Sequence, residues 1–147
     1  MRLAYPIELI LMSPEDGGRW LVTFPDWNNA VTEGDDPAEA MTNAVDCLET
    51  MIDYHLRKGL DIPAPGRARG RRLVAPDSDL ATKAVLWRAF RESDLTDAEF
   101  AAQVGLTPDQ LHRRLFHPRA RLRPELVRKA AAALGKRLVV ELEDAAA

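Results

Sequence analysis

The 147-residue sequence has one cysteine, few aromatic residues and no long apolar run. Cys47 has no second cysteine to pair with, which argues against a small secreted fold held by disulfides. No apolar stretch approaches the roughly 18 residues that cross a bilayer, and Pro6 and Glu8 interrupt the one candidate signal-peptide core. These absences predict a cytoplasmic protein without a membrane anchor. The 46% hydrophobic content is typical of a folded globular chain.

Motifs of the common enzyme classes are also missing. The chain has no G-x-S-x-G elbow, no Walker-type phosphate loop and no H-E-x-x-H zinc motif. His55, His112 and His117 do not have the spacing of a metal site. Away from turns the predicted strands carry only Glu8 and Glu33, fewer acids than the convergent set of a two-metal nuclease. The sequence therefore predicts a protein that is not an enzyme and that needs no cofactor or metal.

Charge is divided unequally along the chain. Residues 1–66 hold 4 Lys and Arg against 12 Asp and Glu, a net charge of −8, and residues 67–147 hold 16 against 11, a net charge of +5. Halves of opposite charge indicate partners of opposite charge. The alternative is that each half only has a solvated charged face.

The first part of the chain has the pattern of a small α+β domain. Pro6 lacks an N–H, which favours an edge position or an irregular start for the first strand. Asp36 and Pro37 begin a helix whose apolar stripe would cover one face of an antiparallel sheet. We predict this domain over residues 1–75 and a second domain over 76–147. Period-two alternation and turn signals predict three successive strands within residues 2–12, 19–24 and 29–34, and residues 71–76 are a candidate for a fourth strand of the same sheet.

The second domain is predicted to be helical and to contain a helix-turn-helix. Thr96 and Thr107 each begin a capping box, with Glu99 and Gln110 three residues later. Gly105 permits the tight turn between the two short helices. In such a unit the second helix enters the major groove of DNA.

The outward face of that second helix and the loop after it are basic, with five arginines and one acid from Thr107 to Arg123. Arg113 is the best candidate for reading a guanine, and three later arginines are predicted to clamp phosphates. Arg114 falls where the motif usually has a small or apolar residue. The predicted DNA-binding residues are Thr107, Asp109, Gln110, His112, Arg113, Phe116, Arg119, Arg121 and Arg123.

A last helix between Pro124 and Gly135 is followed by a predicted strand over residues 136–143. A single strand at the end of a helical domain needs a partner, and the same strand of a second copy is the simplest source. We therefore predict a homodimer or higher oligomer. A dimer would place two recognition helices about one DNA turn, roughly 34 Å, apart.

The order of these domains, and residues 24–48 above all, resembles the HicB family of antitoxins from HicA–HicB toxin–antitoxin pairs. The segment FPDWNNAVTEGDDPAEAMTNAVDCL is similar to the family's F-P-D, T-x-G and E-A pattern before a helix. Many members also carry a C-terminal helix-turn-helix. The stretch Trp27-Asn28-Asn29 departs from the Leu-Pro-Gly-like turn of many members.

The resemblance implies a partial, catalytically inert RNase H-like fold for the first domain. It also implies that this domain blocks HicA, a small basic toxin that cleaves mRNA, and that the second domain binds operator DNA and represses the operon. An acidic surface would then imitate the charge of RNA. The residues predicted to bind the toxin are Asp26, Trp27, Glu33, Asp35, Asp46, Glu49 and Asp53.

Two other functions fit the same sequence. A transcription regulator whose first domain senses a small ligand would show a DNA affinity that depends on that ligand. An active nuclease would cleave an RNA–DNA hybrid with a metal ion and would lose that activity in Glu8→Ala.

Overall fold

The computed structural model describes residues 2–144 and has the predicted α+β architecture. A four-stranded antiparallel sheet with the order β3-β2-β1-β4 is covered on one face by a long helix, and shorter helices follow. No helix in this part of the chain combines the length and hydropathy needed to cross a membrane. The strands are β1 (Tyr5–Leu11), β2 (Trp20–Phe24), β3 (Ala30–Gly34) and β4 (Arg72–Val74). The helices are α1 (Pro37–Lys58), α2 (Ser78–Glu92), α3 (Asp97–Gln103), α4 (Pro108–Leu111) and α5 (Pro124–Ala133).

Strand β1 lies inside the sheet order, so the edge position expected from Pro6 is wrong. Its first half, from Tyr5 to Ile7, pairs with β4, and its second half, from Glu8 to Leu11, pairs with β2. Each half therefore has a single paired neighbour. A strand segment with one neighbour tolerates a residue without an N–H, as an edge strand does.

Helix α1 starts at the predicted cap. The Asp36 carboxylate accepts a hydrogen bond from the N–H of Glu39 at 2.8 Å. The Glu39 carboxylate accepts from the N–H of Asp35 at 2.6 Å, one residue further back than in a regular capping box. One stripe of α1 packs on the inner face of the sheet, and its buried residues are Ala40, Ala44, Leu48, Ile52 and Leu56.

The segment between α1 and β4, which has the composition of a hinge, is attached to β1 and to the turn after β2. The N–H of Gly66 donates to the Asp26 carboxylate at 2.8 Å, and the hydroxyl of Tyr5 donates to the carbonyl of Pro63 at 2.7 Å. Burial raises the pKa of that hydroxyl above its usual range. These long-range hydrogen bonds give the segment a defined path.

Helix α2 packs against the end of α1, so buried side chains continue from the sheet to the last helix. The indole Nε1 of Trp87 donates to the carbonyl of Leu60 at 2.9 Å. Arg91 pairs with Asp61 at 2.7 Å and lies over the Trp87 ring. These contacts join the helical part of the chain to the end of α1.

Residues 136–144, which include the predicted terminal strand, pair with no strand of the described single chain. Leu138, Val139, Val140 and Leu142 are exposed there. The N–H and C=O groups of a strand need a neighbouring strand, and a single copy supplies none to this segment.

Candidate functional site

Helices α3 and α4 occupy the positions of the two helices predicted for a helix-turn-helix, and both capping boxes are confirmed. Thr96 and Glu99 exchange two hydrogen bonds of 3.1 Å, and Thr107 and Gln110 exchange bonds of 3.1 and 3.2 Å. The bond from the N–H of Thr96 lowers the pKa of Glu99. Gly105, between the helices, has a φ of 76°, which glycine adopts without strain. The local signals therefore place both helix starts and the turn.

The faces of α3 and α4 that pack against each other are apolar. Small and aliphatic side chains at the crossing of the two helices exclude water and hold α4 against α3. The buried residues of this interface are Phe100, Ala101, Val104, Leu111 and Leu115.

Phe116 is buried, so its predicted contact with DNA is wrong. After α4 the chain makes one π-helical turn, His112–Phe116, and the N–H of His117 donates to the carbonyl of His112 at 2.8 Å. This wider turn lets the consecutive residues Leu115 and Phe116 both enter the core. The Phe116 ring is 1% exposed and meets the edge of Trp87 at a centroid distance of 5.0 Å.

Arg113 lies on the exposed side of the same turn. Its Nε donates to the Asp109 carboxylate at 3.1 Å, and both side chains are exposed. Exposed pairs of this kind contribute little to stability. Breaking this ion pair would therefore cost little, and in the structure Asp109 holds the Arg113 side chain along the helix.

The other predicted residues of α4 have structural partners. Thr107 and Gln110 use their side-chain oxygens in the capping box. His112 is half-buried, with its ring near Trp87 and its Nε2 at 3.5 Å from the Asp97 carboxylate. The contacts of these residues fix the orientation of the helix, whereas the side chains of Arg113 and Arg114 are exposed to solvent.

Cations from the π-helical turn, the loop after it and α5 line one concave cavity of about 920 Å³, and its lining is called the basic surface below. It lies between the π-helical turn and the start of α5, and Glu125 lies on its wall. Arg114 belongs to this basic surface, although sequence analysis treated it only as a departure from the motif. Lys129 was missed because only the packing of α5 brings it here. The lining cations are Arg113, Arg114, Arg121, Arg123 and Lys129.

Trp27, predicted to contact a toxin, is a core residue instead. Its side chain is 6% exposed and packs edge-on against Tyr5 at 5.4 Å and His55 at 5.0 Å. The two residues after it, Asn28 and Asn29, have φ values of 54° and 57°. Asn tolerates this left-handed conformation better than most residues, so two Asn residues make the turn that begins at Trp27.

Three of the predicted acids lie at or beside the sheet. Glu33 and Asp35 are exposed next to Arg19, with ion pairs of 3.2 and 3.4 Å. Asp26 is half-buried and accepts the hydrogen bond from Gly66. Glu33 and Asp35 are therefore the more accessible members of the set.

The other three acids, Asp46, Glu49 and Asp53, lie on α1 and face the start of α2 and the loop at residues 118–121. They line a cleft of about 620 Å³ whose other wall carries Arg119 and Arg121. Burial raises the pKa of Glu49, against the opposing effect of a hydrogen bond from the N–H of Asp77. The acidic face of α1 thus meets the basic loop of the same chain.

The two strand acids each have an arginine partner. Glu8 is paired with Arg71 at 3.0 Å, as Glu33 is with Arg19. Among residues 2–144, no three side chains of His, Cys, Asp or Glu are grouped in a way that would hold a metal ion.

Comparison with known proteins gives consistent matches. Residues 4–75 match a sequence family described as HicB_like antitoxin of bacterial toxin-antitoxin system. The chain is 32% identical over 141 residues to Antitoxin HicB 1 of Photorhabdus laumondii. This match covers 96% of this chain and 88% of that protein. It is 34% identical over 138 residues to Antitoxin HicB of Escherichia coli K12, and this match covers 92% of this chain and 96% of that protein.

Proposed function

Because the chain belongs to the HicB family of antitoxins from bacterial toxin–antitoxin systems, we propose that its first domain binds and inhibits a small HicA-type toxin that cleaves mRNA. We further propose that its second domain binds operator DNA and represses its own operon. Both activities would take place in the cytoplasm, where the mRNA and the operator are found.

The observation that carries the DNA-binding half of the proposal is the concave basic surface beside the two capped helices α3 and α4. Its cations come from the π-helical turn, the following loop and α5, so they follow a curved surface. Phosphate contacts position a protein on DNA, and base contacts give it specificity. Arg113 is our candidate for the base contact, with Arg119, Arg121 and Arg123 as phosphate contacts.

We expect Arg113→Ala to weaken operator binding by about 1–3 kcal/mol and to relax specificity at one base pair. The reason is the loss of a bidentate donor to guanine, whereas the fold should be unaffected because the side chain is exposed. The measurement is titration of operator and of single-base variants at several salt concentrations. Arg67→Ala, which removes the same charge from the connecting segment, is the control, and an equal loss in both variants would contradict the base contact.

The toxin-binding half is supported by family membership and by the exposed acids at the end of β3. Native co-purification from the chain's own operon tests it, with mass spectrometry to identify what remains bound. A small basic protein in stoichiometric amount supports the proposal. DNA binding without any such protein would favour the ligand-sensing regulator.

In the purified complex, Asp35→Lys should weaken toxin association by about tenfold, mostly through a slower on-rate. A positive charge at this exposed position opposes the approach of a basic toxin. Glu15→Lys, which makes the same charge change on an exposed turn outside the predicted set, is the matched control. Equal rate changes in the two variants would show net charge, and not a local surface, to be responsible.

We also propose a homodimer that pairs residues 136–143 of two copies. The exposed apolar side chains of this segment support that pairing, because they would be covered in a two-stranded contact. The dimer would bring two helix-turn-helix units to one operator.

A further inference from the structure

Lys83, on α2, is the one charged side chain that is buried among residues 2–144. It is 2% exposed, and its Nζ donates to the carbonyls of Pro118 at 2.8 Å and Ala120 at 2.6 Å. A buried ammonium is costly unless its protons are hydrogen-bonded. The two carbonyls therefore form a specific hydrogen-bonding site for the Lys83 ammonium.

Carboxylates from two helices share a cleft with this ammonium. Asp77 and Asp79 lie at the start of α2 and Asp53 lies on α1, and all three line the same cleft as Lys83. Burial lowers the pKa of Lys83, while these three carboxylates oppose that shift. The acids therefore favour the charged form, which makes the stronger hydrogen bonds to the carbonyls.

Pro118 and Ala120 belong to the loop between the π-helical turn and α5, which also carries Arg119 and Arg121. The loop's own hydrogen bonds are local: Arg119 donates its N–H to Nδ1 of His117 at 3.1 Å, and Ala120 donates to the carbonyl of His117 at 2.9 Å. Within the described chain, Lys83 provides the hydrogen bonds that attach residues 118–122 to another element.

We propose that Lys83 is a positioning residue for DNA binding, whose ammonium fixes the loop from which Arg119 and Arg121 reach the phosphate backbone. The inference rests on the proposed DNA-binding function. A loop that is already ordered loses less conformational entropy on binding than one that must order itself. Lys83 thus acts through the two arginines and does not itself contact DNA.

Lys83→Met tests the proposal, because methionine keeps an unbranched apolar side chain and removes the donors. Operator affinity should fall about tenfold, through the ordering that the loop must then undergo on binding. The dependence of affinity on salt should become shallower, because fewer phosphate contacts release counterions. Arg88→Met is the matched control: it removes a cation of α2 that pairs with Glu92 and does not hold the loop.

A second measurement does not involve DNA. Trypsin cleaves after Arg119 and Arg121, so cleavage at these two bonds reports how well the loop is held. Cleavage should be faster in Lys83→Met than in the original protein and unchanged in Arg88→Met.

A double-mutant cycle separates positioning from a general structural effect. In a protein that carries Arg119→Ala and Arg121→Ala, Lys83→Met should cost little further affinity, since the residues on which it acts are gone. An equal loss in both backgrounds would overturn the proposal.

The outcomes separate this inference from the proposed function. If the original protein binds the operator and Lys83→Met binds it with the same affinity and salt dependence, the inference fails and DNA binding stands. If the original protein does not bind, both fail. If Lys83→Met does not fold, Lys83→Arg is measured instead: the larger guanidinium should displace the loop, and faster cleavage with unchanged affinity would overturn the inference.

Discussion

Gly34→Ala is expected to lower the free energy of unfolding by about 3 kcal/mol, as severe overpacking does. A Cβ at Gly34 would lie 2.4 Å from the backbone N of Ala40, 2.7 Å from its Cα and 2.8 Å from the carbonyl carbon of Glu39. Backbone atoms cannot rotate away as a side chain does. The start of α1 would have to move off the end of β3.

This glycine is required for space and not for an unusual backbone angle, since its φ is not among the positive values. It is the glycine of the T-x-G pattern, at the point where β3 turns into the helix that covers the sheet. The close approach at Gly34 gives that pattern a physical cause. Displacing the helix start would also disturb the hydrogen bonds of Asp36 and Glu39.

Urea denaturation followed by circular dichroism measures the loss. Gly59→Ala is the control, because Gly59 has a φ of 68° and an added Cβ there would meet nothing within 4 Å. That variant should lose only about 1 kcal/mol, the cost of a left-handed conformation for alanine. Similar losses in the two variants would show that helix and strand separate easily and that the contact is unimportant.

Phe116→Ala is expected to lower the free energy of unfolding by about 3–5 kcal/mol, the range for deleting a buried phenylalanine ring. The ring lies among Trp87, Phe90 and Phe100, with centroid distances of 5.0, 6.0 and 6.3 Å. Its removal would leave a cavity beneath the π-helical turn that carries Arg113. Any effect of Phe116→Ala on DNA binding should therefore follow from the loss of stability and not from a lost DNA contact.

This prediction distinguishes a core residue from a DNA contact. If Phe116 met a base, Phe116→Ala would weaken operator binding and leave thermal stability nearly unchanged. Phe116→Leu, which keeps most of the apolar volume, should lose much less stability than Phe116→Ala. Arg113→Ala, on the exposed side of the same turn, should change stability by less than about 0.5 kcal/mol.

Some of the opposite charges of the two halves face each other within the molecule, in addition to any contact they make with a partner. Asp46, Glu49 and Asp53 of the acidic half line the same cleft as Arg119 and Arg121 of the basic half. Part of the charge asymmetry is therefore matched within one molecule. Net charge alone does not distinguish an internal partner from an external one, because it does not say where the charged side chains lie in the structure.

The features that sequence predicted correctly are those set by neighbouring residues. The caps at Asp36, Thr96 and Thr107 depend on side chains within three or four positions. The strands follow from period-two alternation, and the turn at Gly105 from the freedom of one glycine. Local hydrogen bonding and local sterics decide these elements, so the fold class and the two capped helices with the turn between them could be predicted without a structure.

The features that only the tertiary structure decided involve residues far apart in the chain. A π-helical turn directed Phe116 into the core, and Trp27 was enclosed by Tyr5 and His55. The docking of α2 and α5 brought Lys129 to the basic surface and put Lys83 against the loop of Arg119. Sequence periodicity assigns each residue to a face of its own element, but the packing between elements decides what covers that face.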